Sequence, residues 1–281
     1  MHYQYTAVGH LTIDEFTDGA RRPGGSAFYG ALQAARLGLR ALLITRGVPA
    51  QIDELLAPYR HELDVQVQDA PHTTTLHTSG AGAQRSQRLL AWAGPIAGEP
   101  ALDTDILHLA PVARESPRGW RGRAAFVGLT PQGMVRSWSG EGAPIVQVRA
   151  GAEAEEVARR CDALVVSDDE RDSCARLIAA AAGAGAVVAI TAGARPTLVL
   201  SADGEQLEVE VPPLAGAVDD LGAGDVFAAA FFIALHERQD ACTAARFANA
   251  AAAVRMRALG AGAIGGRSEV QERLRLVAPG R

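Results

Sequence analysis

One stretch narrows the possible folds of this chain more than any other: Asp219-Asp220-Leu221-Gly222-Ala223-Gly224-Asp225, running straight into Val226-Phe227-Ala228-Ala229-Ala230-Phe231-Phe232. It sets a Gly-Ala-Gly turn at the start of an apolar helix, with an acid on the first turn. A helix start gathers unpaired backbone N–H groups and the positive end of the helix dipole. Glycines let that backbone approach an anion closely. An acid at the same spot suits phosphate storage poorly, because it repels phosphate. It suits a base that takes a proton from a hydroxyl while nearby amides steady a phosphoryl group. The segment therefore points to phosphoryl transfer onto a small molecule.

Around it, strands and helices alternate. Strand patterns cover 3–9, 41–45, 63–67, 106–110, 125–129, 145–148, 163–166, 186–191, 197–200 and 207–211. Helical spacing covers 24–37 (closed by Gly38), 52–59, 153–159, 170–182, 224–237 and 241–258. Such alternation predicts an α/β fold with a mostly parallel sheet covered by helices on both faces. Residues 11–22 read as an extended flap, and 73–90 as a polar hairpin turning at Ser79-Gly80-Ala81-Gly82.

Composition removes several function classes. The formal charge is −5, all 27 basic residues are arginine, and they are spread along the chain. With no basic block, neither nucleic acid nor an anionic membrane is an expected partner. Cys161, Cys174 and Cys242 lack metal-ligand or redox spacing and read as free thiols of a reducing cytoplasm. No signal peptide and no membrane-length apolar run is evident, so a cytoplasmic location is expected. A dinucleotide oxidoreductase would need a Gly-x-Gly-x-x-Gly turn after the first strand, and Gly9-His10-Leu11 offers none.

Gly222-Ala223-Gly224-Asp225 ahead of an alanine-rich helix resembles the second signature of the ribokinase/PfkB carbohydrate kinases. Gly24-Gly25-Ser26-Ala27-Phe28-Tyr29-Gly30-Ala31, with Ala35-Arg36-Leu37-Gly38, resembles the first. The resemblance spans most of the chain and is weakest from 94 to 148. It implies a ribokinase-like fold in one domain, 1–281, with lid segments near 11–22 and 72–92, able to pair into a homodimer.

It also implies roles. Asp225 would be the general base, with Gly222, Ala223 and Gly224 as an anion hole. Asp219, Gly222, Gly224, Thr191, Gly193 and Asn249 would contact the nucleotide. Glu170, in Ser167-Asp168-Asp169-Glu170, would order Mg²⁺ and its waters; the same four residues equally spell a helix capping box. Asp14, Gly24, Gly25, Ser26 and Tyr29 would bind the acceptor, joined by Thr75, His77, Gln132 and Arg136. A carboxylate such as Asp14 can accept two hydroxyl protons at once. Arg21 and Arg22 could hold a phosphate on the acceptor, although adjacent loop arginines are more often solvated.

The implied cofactors are ATP and Mg²⁺, with room for a monovalent cation. Four positions depart from the family pattern, one of them Ser167, which stands where the family has asparagine. Asp220 stands where a small residue or proline is usual, Leu221 where threonine is frequent, and Tyr29 where asparagine is usual. Asp220 adds negative charge near the phosphates, which a cation could offset. The altered first signature and Thr74-Thr75-Leu76-His77 look somewhat like the inositol kinases, so a myo-inositol-like polyol is the first expectation. A nucleoside or ketohexose comes next, and a non-catalytic ligand-binding relative is the rival of another class.

Overall fold

The computed structural model describes residues 1–80, 84–117, 119–214 and 216–276. From the N-terminus run β1 (Tyr3–Val8), β2 (Thr12–Phe16), β3 (Arg21–Gly24), α1 (Ser26–Arg36), β4 (Ala41–Gly47), α2 (Pro49–Leu56) and β5 (Asp64–Asp69). Next come β6 (Thr75–Ser79), β7 (Ser86–Ala91), β8 (Ala101–Leu109), β9 (Arg121–Leu129), β10 (Arg136–Ser137), β11 (Val146–Gln147), α3 (Ala152–Ala158) and β12 (Ala163–Ser167). The chain closes with α4 (Ala175–Gly183), β13 (Val187–Ala192), β14 (Arg195–Leu200), β15 (Gln206–Val209), α5 (Ala223–His236), α6 (Ala241–Arg255) and α7 (Arg267–Arg275).

Nine strands form one sheet in the order β15-β14-β13-β12-β9-β8-β1-β4-β5. All its pairings are parallel except β13 with β14 and β14 with β15. The sequence explains why both faces are covered. Along the central strands, Ala7, Leu43, Ile106, Val165 and Ala189 face one core with α1, α5 and α6. Their neighbours Val8, Ile44, Leu107, Val166 and Ile190 face the other, which includes α4. That is the two-residue period of a strand with both faces buried. Helix α5 is buried from Val226 to Ala234, and its alanines let it lie close against α1 and α6. Among the described residues no helix is long and apolar enough to cross a membrane.

The flap and the hairpin join into a second sheet, in the order β3-β2-β6-β7. The flap is thus a hairpin of its own, and β2 also pairs in parallel with β6. Ala81 and Gly82, at the expected tip, lie outside the described residues. Elsewhere the differences are local. The helix expected over 170–182 begins only at Ala175, because Ser167 and Glu170 close a short turn of their own. Helix α6 stops at Arg255, ahead of Gly260 at φ 70°. Helix α7 is polar, with only Val270 buried, and its pattern gave no amphipathic signal.

Candidate active site

One cavity of about 870 Å³ runs between the two sheets and along the C-terminal ends of the main sheet's strands. Open α/β sheets place their ligands there. At one end it is lined by Thr12, Asp14, Gly25, Ser26 and Tyr29; at the other by Thr191, Gly193, Thr197, Asn249 and Met256. Between them lie Gly222, Ala223, Gly224 and Asp225, with Glu170, Gln132 and Arg136 across from them.

The motif's backbone is set by Gly222, the N-cap of α5, at φ 77°. A Cβ at this position would lie 2.5 Å from the Tyr29 ring, so glycine is required on conformation and on space. The helix's own ladder first engages the Val226 N–H, bonded to the Gly222 carbonyl. The N–H groups of Gly224 and Asp225 therefore have no partner within the helix. Ala223 differs: its N–H turns back to the Asp220 carbonyl at 3.2 Å. Among the expected donors Gly222, Ala223 and Gly224 this one is therefore engaged, and the Asp225 N–H, outside that expected set, stands beside that of Gly224.

Asp225 sits half-buried on the first turn. Desolvation pushes its pKa up to about 6; Glu170 adds to the rise, while a hydrogen bond from Ser26 and the charges of Arg136 and Arg85 oppose it. Asp14, on β2, is buried and accepts the Thr12 hydroxyl at 2.8 Å. Gly24 leaves it room: a Cβ there would fall 2.1 Å from Asp14 Oδ2. Desolvation raises Asp14 to about 6 as well, opposed by the Thr12 bond and by Arg136 and Arg85, and reinforced by Asp225. The two acids thus share one field. Burial pulls the pKa of Arg136 down, and Glu170, Asp225, Glu115 and Asp14 push it back up. Its Nη1 donates to the Val112 carbonyl at 3.0 Å, which holds the guanidinium in place.

Glu170 keeps both of its readings. Its Oε2 accepts from the Ser167 hydroxyl at 3.0 Å, as a capping box requires. Its carboxylate also faces the cavity. No group of three or more His, Cys, Asp or Glu side chains converges among the described residues. One carboxylate on a cavity that also holds the start of α5 is nonetheless a fitting donor set for Mg²⁺, which keeps most of its waters.

Several expected residues stand elsewhere. Thr75 and His77 do not line the cavity, whereas Leu76 does. The register explains it: Asp14 lies opposite Leu76, while Ile13 and Glu15 lie opposite Thr75 and His77. Residues alternate across a strand, so only Leu76 shares Asp14's face. Asp219 does not line the cavity either. Its carboxylate is taken by the Leu221 N–H, the Gly260 N–H and Arg255, which leaves it no reach to a nucleotide. Asn249 touches the cavity, but its amide is spent on the Thr197 hydroxyl and the Val209 and Glu210 carbonyls. Gly24 acts from behind Asp14. Arg21 pairs with Glu15, and Arg22 lies over the Phe16 ring, so neither points into the cavity.

Two arginines were not anticipated. Arg85, just ahead of β7, pairs with Asp220, and both line the cavity. It is a cation of the kind that could offset Asp220, and its place just beyond a glycine-rich stretch is its one sequence signal. Arg195 pairs with Asp168 at 2.7 Å beside the Thr191–Gly193 turn.

Residues 150–265 match the family model described as pfkB family carbohydrate kinase. No curated relative matches the chain in sequence. Among solved structures the chain is similar to a pyrophosphate-dependent kinase in the ribokinase family, 23% identical, with 96% of this chain and 100% of that one aligned at a TM-score of 0.74. It is similar to a pyrophosphate-dependent myo-inositol-1 kinase at 22% identity, 96% and 98% coverage and a TM-score of 0.74. Arabidopsis thaliana ribokinase follows at 18% identity, 98% and 99% coverage and a TM-score of 0.71. The fold is ribokinase-like.

Proposed function

We infer that this chain, a pfkB-family carbohydrate kinase by its motif and its ribokinase-like fold, phosphorylates a hydroxyl of a small polyol of the myo-inositol type, with ATP and Mg²⁺. One observation carries the reading: Asp14 and Asp225 open on the same cavity, with the N-terminus of α5 between them and the donor end. Asp14 accepts two acceptor hydroxyls and fixes which third one lies against Asp225. Asp225 takes the proton of that hydroxyl as its oxygen attacks the transferred phosphorus, in line with the leaving oxygen. The Gly224 and Asp225 N–H groups and Arg136 offset the charge on the transferred group. Mg²⁺, held near Glu170, neutralises donor phosphate oxygens when bound. Arg85 and the lid sheet close the mouth and keep water from the phosphoryl group.

A second reading concerns the donor alone. Three of the similar solved structures are of pyrophosphate-dependent kinases, and the Asn249 amide is already spent within the protein rather than offered to a base. Pyrophosphate is therefore the alternative to ATP. The deciding experiment measures ADP release from Mg-ATP, and orthophosphate release from Mg-pyrophosphate, against myo-inositol, ribose, fructose and nucleosides. Turnover with myo-inositol or a near isomer, abolished by Asp225→Asn, is the expected result. Turnover confined to nucleosides would overturn the acceptor class. Ligand-induced stabilisation with no turnover on either donor would replace catalysis by binding alone.

A further inference from the structure

Arg255, in the last turn of α6, is wholly buried and heads the largest fully enclosed side chains of the molecule. Its Nη2 donates to Asp219 Oδ2 at 2.9 Å and to the Leu221 carbonyl at 2.6 Å. Its Nη1 donates to the Ala258 carbonyl at 3.1 Å and to the Asp219 carbonyl at 3.4 Å. One carboxylate and three carbonyls, drawn from the catalytic loop and from the turn after α6, thus converge on a single positive centre. The Gly260 N–H completes Asp219 from the far side, at 2.9 Å.

An all-oxygen set of carbonyls with one carboxylate is what a large monovalent cation takes in exchange for its hydration shell. Here the oxygens already point at a guanidinium, which carries the same unit charge and cannot lose its proton. We propose that Arg255 is a tethered cation that orders the anion-hole loop, so that this enzyme has neither place nor need for a monovalent metal ion.

The site lies beside the chemistry without touching it. Leu221, whose carbonyl Arg255 holds, directly precedes Gly222, the N-cap of α5. The guanidinium carbon also lies 5.5 Å from the centre of the Tyr29 ring, and that ring packs against Gly222. Arg255 therefore grips the loop from the Leu221 side and backs the ring on which Gly222 rests. Both contacts set the direction in which the Gly224 and Asp225 N–H groups point. Arg255 itself does not line the cavity, so it is a positioning residue.

The inference rests on the proposed kinase activity only for its kinetic arm; melting tests it independently. The whole protein is compared in chloride salts of potassium, sodium, ammonium and choline at equal ionic strength. The wild type is expected to melt at the same temperature in all four and to turn over within about twofold, since only screening is shared between them. Arg255→Met is expected to lower kcat by about tenfold or more while the acceptor KM moves little, as loss of an anion-hole donor's alignment would. Potassium or ammonium, but not choline, should raise both its kcat and its melting temperature. Arg255→Lys keeps the charge but loses the planar fork, so it should fold and fall between the two. It carries the test if Arg255→Met does not fold. A wild type whose melting or turnover depends on potassium at fixed ionic strength would overturn the proposal. So would a folded Arg255→Met with wild-type kcat, or an Arg255→Lys indifferent in both readouts.

Discussion

Asp225 and Asp14 face the same cavity, and burial raises both to about 6, yet they are built in opposite ways. Asp225 stands on a helix buried from Val226 to Ala234, whose leading loop is locked by Arg255 and Asp219. Asp14 stands on a strand of the small four-stranded sheet, supported by the Thr12 hydroxyl and by the space Gly24 leaves. One acid is fixed at the start of a helix that runs through the core. The other is fixed by local contacts in the small sheet that lines the cavity. The contrast assigns them separate duties. The proposed roles follow that contrast: proton transfer falls to the acid held by the core helix, and acceptor binding to the acid held by local contacts.

Removing Asp225 tests the rigid half and carries the largest effect. Asp225→Asn keeps the shape but cannot take a proton, so kcat should fall by roughly a thousandfold. The same change should stabilise the fold. A carboxylate raised from 3.8 to about 6 binds its proton more tightly in the folded state. Its contribution is therefore most favourable below the unfolded pKa and declines as pH climbs to about 6, with no further loss above. Discounted for the side chain's opening onto the cavity, Asp225→Asn should gain about 1 to 2 kcal/mol at pH 8, a few degrees in Tm. Wild-type kcat/KM should fall on the acid side with an apparent pKa about 6, shared with Asp14. An acid limb near 4, or a melting temperature lowered by the substitution, would remove the buried-base account.

Gly222→Ala comes next. It puts a Cβ at φ 77° and 2.5 Å from the Tyr29 ring, so the anion-hole amides must shift. A loss of kcat of about a hundredfold is expected, with the melting temperature down by several degrees. Asp14→Asn should act differently. The amide still accepts the Thr12 hydroxyl but binds hydroxyls less well, so acceptor KM should rise by about tenfold or more, with a smaller change in kcat. If Asp14→Asn lowers kcat as deeply as Asp225→Asn, the two halves are not separate in function.

The same divide separates what the sequence made legible from what it hid. The motif around Asp225 depends on residues close in sequence, with glycines that a turn demands and a long apolar helix behind them. Local physics therefore exposes it. Asp14 and the lid strands could be recognised as extended, but their facing depended on pairing. Nothing within Thr75-Leu76-His77 says which of the three shares a face with Asp14; the parallel pairing of β2 with β6 decides it. Arg85 with Asp220, and Arg255 with Asp219, join positions 135 and 36 residues apart. No pattern along the chain marks such partners. A charge at an odd place, as at Asp220, shows only that some partner is needed.

That partner gives the next test of the closing half. Arg85→Ala removes a cation from the cavity wall beside Asp220, so donor KM should rise by several-fold, about the worth of a partly exposed ion pair plus lost attraction for phosphate. Asp220→Ala removes the repulsion as well as the pairing, so it should restore part of what Arg85→Ala loses when the two are combined. A double variant as impaired as the sum of both would show that they act independently.

The smallest effect is expected at His77, and it bears directly on the strand's facing. His77 lies opposite Glu15, off the cavity, whereas Leu76 lies opposite Asp14 and lines it. His77→Ala should leave kcat and acceptor KM within about twofold of wild type, as surface changes away from a site do. Leu76→Ala, one position earlier, removes a buried side chain from the cavity wall. It should raise acceptor KM by several-fold or more and cost about 2 to 3 kcal/mol of stability. Both changes sit on one five-residue strand, so its general weakening would affect them alike. A reversed order, with His77 the costlier position, would mean that β6 pairs one residue out of the register seen here.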